Sequence, residues 1–224
     1  MRSPCVCEGA GLIATMRQDI DRYAFGTEQE SGAGWTVPLR VALLSPGLWA
    51  VLAYRLTHYA LTRVRPRQLS ALLATPAFAL QRLLHPITGV EINTRAHIGP
   101  GLLIPHRGTI IIGAVRMGRC CNISQGVTIG RSTLEEGGEV DTPTLGDRVW
   151  IGPGAVVAGP LHIGDDATIG SNSVPMRDVP PCGVVMGVPA RLVSERGSFA
   201  QVAYRGMDQD QDRVLARQKL ETPG

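Results

Sequence analysis

Between residues 92 and 169 an aliphatic side chain returns at every sixth position. Ile92, Ile98, Ile104 and Ile110 make one run, Met117, Ile123 and Ile129 a second, and Leu145, Ile151, Val157, Ile163 and Ile169 a third. Glycine follows the aliphatic residue at Gly99, Gly118, Gly130, Gly146, Gly152, Gly164 and Gly170. A period of six is not helical, because six steps of about 100° set successive residues about 240° apart. In extended chain six is even, and all these side chains share one face. A glycine after each permits a sharp bend. Short extended sides joined at corners build a solenoid, in which each unit buries its aliphatic residue only against the units above and below. Residues 91–175 are long enough for about five such coils. The register has two faults. One residue too many separates Ile110 from Met117, and a loop over roughly residues 131–143 separates Ile129 from Leu145.

The flanks follow other patterns. Residues 1–36 are polar and contain glycine, and predict a flexible segment with a short helical candidate near 16–23. Residues 37–88 are rich in Leu and Ala and predict an α-helical region. Leu48, Val51, Leu52, Arg55 and Leu56 fall at helical spacing, as do several of Leu69, Leu72, Leu73, Phe78, Leu80 and Leu83. Pro46, Pro66 and Pro76 are expected to divide it. Residues 89–194 hold the coil. Residues 195–224 form a charged tail with a weak helix near 208–219.

Composition narrows the function. Aromatics are only 4% and glycines number 27, which suits a regular fold of tight turns. The formal charge is +3, with no dense basic run, so nucleic acid is not expected as a partner. The stretch at 41–54 is too short to span a bilayer, and membrane contact is not expected. Cys5, Cys7, Cys120, Cys121 and Cys182 match neither a zinc ribbon nor a disulfide framework, which predicts free thiols in the cytoplasm. His58, His85, His97 and His162 have no partner at metal-ligand spacing, so no metal is expected.

Several segments carry a resemblance: Gly89-Val-Glu-Ile, Ile98-Gly-Pro-Gly, His106 with Gly108 and Ile110-Ile-Ile-Gly, Ser124-Gln-Gly-Val-Thr-Ile-Gly130, and Gly187-Val-Pro-Ala-Arg191. Over about residues 40–195 the chain resembles the serine O-acetyltransferases, hexapeptide-repeat acyltransferases of left-handed β-helix fold. The Ser-Pro-Gly-Leu at 45–48 is similar to their short bacterial form. The resemblance implies a mainly β protein, a left-handed parallel β-helix after an N-terminal α-helical region. It also implies a homotrimer or a dimer of trimers, no resident cofactor, and acetyl-CoA as co-substrate. L-Serine is the implied acceptor, its product serving cysteine biosynthesis. A sugar, a polysaccharide precursor or another small hydroxylated metabolite is the alternative.

The same resemblance assigns residues. His106 stands where the family's base removes the acceptor hydroxyl proton, and Glu91 where a carboxylate orients that base. Gly130 with Arg131, Gly152 with Pro153, and Gly170 with Ser171 fall on the acetyl-CoA side, with Arg191 for a CoA phosphate. Pro153 replaces a small Ala and has no N–H to donate. Pro105, Arg107, Asp141 and Thr142 form the acceptor pocket. Pro105 replaces an Asp, and Asp141 and Thr142 replace the Arg and second His of the family's Asp-Arg-His-Pro sequence. Arg107 and Arg131 offer substitute cations for an amino-acid carboxylate. The C-terminal Ile that docks the family on its sulfhydrylase partner is absent, so that complex is not expected.

Overall fold

A computed structural model describes residues 11–31, 37–132 and 142–221. Four helices come first: α1 (Leu12–Ser31), α2 (Val37–Leu44), α3 (Pro46–Arg63) and α4 (Arg67–Thr88). Eleven short strands follow, from β1 (Val90–Ile92) and β2 (His97–Ile98) through β3 (Ile110–Ile112), β4 (Arg116–Met117), β5 (Asn122–Ile123), β6 (Thr128–Gly130), β7 (Thr144–Leu145), β8 (Trp150–Ile151), β9 (Val156–Ala158) and β10 (His162–Ile163) to β11 (Thr168–Ile169). A hairpin of β12 (Val184–Gly187) and β13 (Ala190–Ser194) and a last helix α5 (Gln211–Glu221) complete the described chain.

The strands sort into three parallel sheets visited in rotation. Face A holds β1-β3-β6-β9, face B holds β2-β4-β7-β10, and face C holds β5-β8-β11-β12-β13. Leu103 joins face C through a parallel bridge to Asn122. The result is a three-sided coil. Its interior is a set of aliphatic columns: Ile92–Ile112–Ile129–Val157 on A, Ile98–Met117–Leu145–Ile163 on B, and Ile123–Ile151–Ile169–Val185 on C. All are at most 5% exposed. An inward Ile or Leu contributes about 1.5–3 kcal/mol by leaving water.

Three expectations change. Ile112, not Ile110, stands in register with Ile92. Both point inward, being two apart, so the hexapeptide count could not separate them. The bend around His106 therefore holds two residues more than the repeat, and the next side one fewer. Face A has four strands among the described residues, while faces B and C each reach a fifth rung through Val179 and Leu103, in keeping with about five coils. The flexible N-terminal segment is corrected as well. Helix α1 occupies Leu12–Ser31, anchored by Asp19, which is 0% exposed and ion-paired to Arg55 at 2.9 Å. Finally, Pro76 and Pro86 lie inside α4. Packing of α4 along α3, with Ala74 and Gln81 buried, outweighs the one hydrogen bond each proline removes.

Helices α1, α3 and α4 close the first coil. The Tyr54 hydroxyl donates to Ala96 O at 2.7 Å, Arg55 Nη2 to Gly99 O at 2.7 Å, and Asp19 accepts the N–H groups of Gly101 and Leu102. Beyond the last coil, β13 pairs antiparallel with β12. The C-terminal segment locks onto the corner between faces B and C. There Arg148, 2% exposed, meets Asp166 at 2.9 Å, and Arg119 bridges Asp147 and Asp210.

Candidate functional site

The column at the corner between faces C and A is made of backbone. Gly126, Gly154 and Asn172 all adopt positive φ there, at 75°, 72° and 54°. Gly154 N donates to Gln125 O at 2.9 Å and Asn172 N to Pro153 O at 2.8 Å. An added Cβ at Gly154 would meet the Asn172 side chain at 2.1 Å. The glycines thus let successive corners stack closely, with the Asn172 side chain filling the space at Gly154.

His106 sits at the top of this column, in the bend between Ile104 and β3. Pro105, His106 and Arg107 are all exposed. Two glycines fix the path of the bend. A Cβ on Gly89 would strike Gly108 O at 2.6 Å, and one on Gly108 would meet Gln125 Cβ at 2.8 Å. The imidazole stands on a bend fixed by these glycines and is exposed. Gln125 was not assigned a role from sequence. Its Oε1 is buried without a hydrogen-bond partner directly beneath the bend. The only signal was its place in the Ser124-Gln-Gly motif.

Glu91 lies on β1, opposite Ile111. Its carboxylate meets Arg82 of α4 at 3.4 Å, an exposed pair, and both line a small cleft of about 160 Å3 with Phe78 and His85. No Glu91–His106 hydrogen bond forms among the described residues.

The expected acetyl-CoA residues divide between two corners. Gly152, Pro153, Gly170 and Ser171 follow β8 and β11 on the His106 column. Pro153 lacks a donor, yet its carbonyl ties the column to Asn172. Gly130 and Arg131 end β6, at the corner between faces A and B, where Thr142 also returns to β7. Arg131 is exposed and Thr142 half-buried, while Asp141 lies outside the described residues. Arg191, on β13 opposite Met186, is exposed. Within one chain, then, His106 shares its corner with Pro105, Arg107 and half of the acetyl-CoA set. Gly130 and Arg131 stand at the far edge of face A, and Arg191 on the terminal hairpin of face C.

Among the described residues no three His, Cys, Asp or Glu side chains gather to hold a metal, and no helix is long and apolar enough to cross a membrane.

Residues 142–174 match the bacterial transferase hexapeptide family (six repeats). The serine acetyltransferase of Mycobacterium tuberculosis is 38% identical over 185 residues, which is 82% of this chain and 74% of that protein. The crystal structure of Neisseria gonorrhoeae serine acetyltransferase in complex with serine superposes with a TM-score of 0.65 at 29% identity, covering 84% of this chain and 72% of the other. A serine acetyltransferase in complex with CoA gives a TM-score of 0.63 at 29% identity, over 83% and 71% of the two chains. Bends, glycine column and sequence agree, and the chain belongs to the serine acetyltransferase family.

Proposed function

We propose that this enzyme transfers the acetyl group of acetyl-CoA to the hydroxyl of L-serine, giving O-acetylserine. The observation that carries the reading is the 38% identity to a serine acetyltransferase across 74% of its length. Related structures hold serine and CoA.

In the proposed step His106 accepts the serine hydroxyl proton as the oxygen attacks the thioester carbonyl. A C–O bond forms, the C–S bond breaks, and the proton passes from the imidazolium to the departing CoA thiolate. Glu91 is the proposed positioning carboxylate. Its bond to Arg82 is exposed and worth about 0–1 kcal/mol, too little to hold it against a forming imidazolium. Arg107 and Arg131 are proposed to meet the serine carboxylate, and Asp141 and Thr142 its other polar groups. The acetyl-CoA arm is proposed to run along Gly130, Gly152, Pro153, Gly170 and Ser171, with Arg191 toward a phosphate. Because these groups occupy two corners of one coil, the site is completed between chains. We therefore place it in a homotrimer of left-handed coils, each setting its A–B corner against the next chain's C–A corner. The buried thiol Cys121 and its free neighbours Cys120 and Cys182 favour a reducing cytoplasm.

The test is release of CoA thiol with saturating L-serine beside a panel of glycosides. Rapid release with serine is expected. No turnover with serine, together with clear turnover on a glycoside, would move the acceptor to a neutral hydroxyl compound.

A further inference from the structure

Helix α1, the corner between faces B and C, and the C-terminal segment enclose a second cleft, of about 550 Å3. It lies at a different corner from His106, and nothing in it takes part in the acetyl transfer proposed above.

Among the described residues, two of the four buried guanidinium groups face carboxylates. Arg55 meets Asp19 and Arg148 meets Asp166, each at 2.9 Å. Arg22, which lines the cleft, does not. It is 4% exposed. Its Nη2 donates to the neutral amide oxygen of Asn122 at 2.6 Å. Its Nε is buried with no acceptor. A second buried cation, Arg213, stands near: Arg22 and Arg213 lie 5.9 and 5.2 Å from the Tyr204 ring centroid. Arg213 donates to the carbonyls of Phe199 and Val202, not to a carboxylate. Burial first, and then repulsion from Arg213, pull the Arg22 guanidinium below its ordinary pKa. A buried charge without a counter-ion costs several kcal/mol, so this pair of arginines is set for an anion that none of the described residues supplies.

The remaining charges select the anion. Arg119 is committed to Asp147 and Asp210, and Asp210 also accepts the Tyr204 hydroxyl. Asp21 and Arg205 line the same cleft and are both exposed, Arg205 lying over the Phe25 ring at 5.9 Å from its centroid. A phosphate or a dicarboxylate would set a second negative charge beside Asp21 and Asp210, with only the exposed, solvent-screened Arg205 to offset it. A lone carboxylate would leave Asp21 unanswered. We propose that the cleft binds a small zwitterion, an α-amino acid, with its carboxylate on Arg22 and its ammonium at Asp21. The volume is in the range of small-molecule sites. Bound there, the ligand would tie α1 to the C-terminal segment across the coil corner.

The test uses the full chain. Thermal unfolding is followed with each proteinogenic L-amino acid, and with acetate, methylammonium and inorganic phosphate at matched ionic strength; hits are titrated by calorimetry. At least one L-amino acid is expected to raise Tm saturably. It should bind an Arg107→Ala, Arg131→Ala double variant as well as the parent, which separates this cleft from the acceptor site, where both arginines are proposed to hold the carboxylate. Arg22→Gln and Asp21→Asn should each weaken it by roughly tenfold or more. Asp21 is exposed, so Asp21→Asn reads the site even where Arg22→Gln impairs folding. The proposal is overturned by no saturable shift with any L-amino acid, by binding indifferent to Asp21→Asn, by binding lost in the Arg107→Ala, Arg131→Ala double variant, or by phosphate binding more tightly than every amino acid.

Discussion

At the scale of single residues, the proposed chemistry rests on one exposed imidazole on a stiff bend. Replacing His106 with Ala should lower acetyl transfer by about 10²–10⁴-fold, the range for a lost general base. Acetyl-CoA affinity should change little, since the base serves the acceptor. Glu91→Gln should lower the rate less, because it leaves the base in place. Steady-state rates with acetyl-CoA binding measured alongside check both; wild-type turnover in His106→Ala would end the mechanism. His106 was legible as a candidate base through its motif, which neither burial nor spacing alone would have supplied. The partner of Glu91 was not. Arg82 approaches it from α4, and that contact is set by how the helix lies on the first coil, which no local pattern encodes.

At the scale of elements, the C-terminal segment depends on buried ions. Removing one member of a buried pair strands the other, at a cost of about 3–5 kcal/mol. Asp166→Ala should therefore destabilise strongly, because Arg148 is 2% exposed and Asp166 1%; urea unfolding measures it. Asp210 adds a dependence on pH. Burial pushes its carboxyl up, but the Tyr204 hydroxyl, Arg119 and Arg148 outweigh burial and hold it below the ordinary value of 3.8. A group depressed in the folded state contributes its full stability above its unfolded pKa, and loses it as pH falls through the folded value. The segment carrying α5 should thus stay docked down to the ordinary carboxylate range and release below it. Hydrogen exchange of the α5 amides across acid pH would detect this, and unchanged protection at low pH would contradict it. None of the network was read from sequence. Asp19, Arg22 and Arg148 are charged, and charge in a local pattern suggests a solvated face; only tertiary contact reveals that they are buried.

For the molecule as a whole, the coil was the most legible part. Its period is even, so every Ile column could be laid on one face before any contact was known. What the period could not fix was phase: Ile110 and Ile112 satisfy it equally, and the choice was made by pairing with Ile92. The site as proposed needs more than one chain, since His106 and Arg131 stand at different corners. Light scattering should find a trimer or a multiple of it at micromolar concentration, and mixing a His106→Ala chain with an Arg131→Ala chain should restore activity at those mixed sites where both intact residues meet. A fully active monomer would refute the shared site.

The helices laid over the first coil have a consequence of another kind. A stack of parallel strands is an open-ended template, and each terminal strand would accept an identical strand from another molecule. Tyr54, Arg55 and Asp19 occupy the hydrogen-bonding groups of that end at Ala96, Gly99, Gly101 and Leu102. They act as a stopper on a structure that is built like a short length of fibre. Without α1 to α4 the same coil would keep its columns and expose its edge, and the expected product is head-to-tail filaments in place of a soluble particle of fixed size.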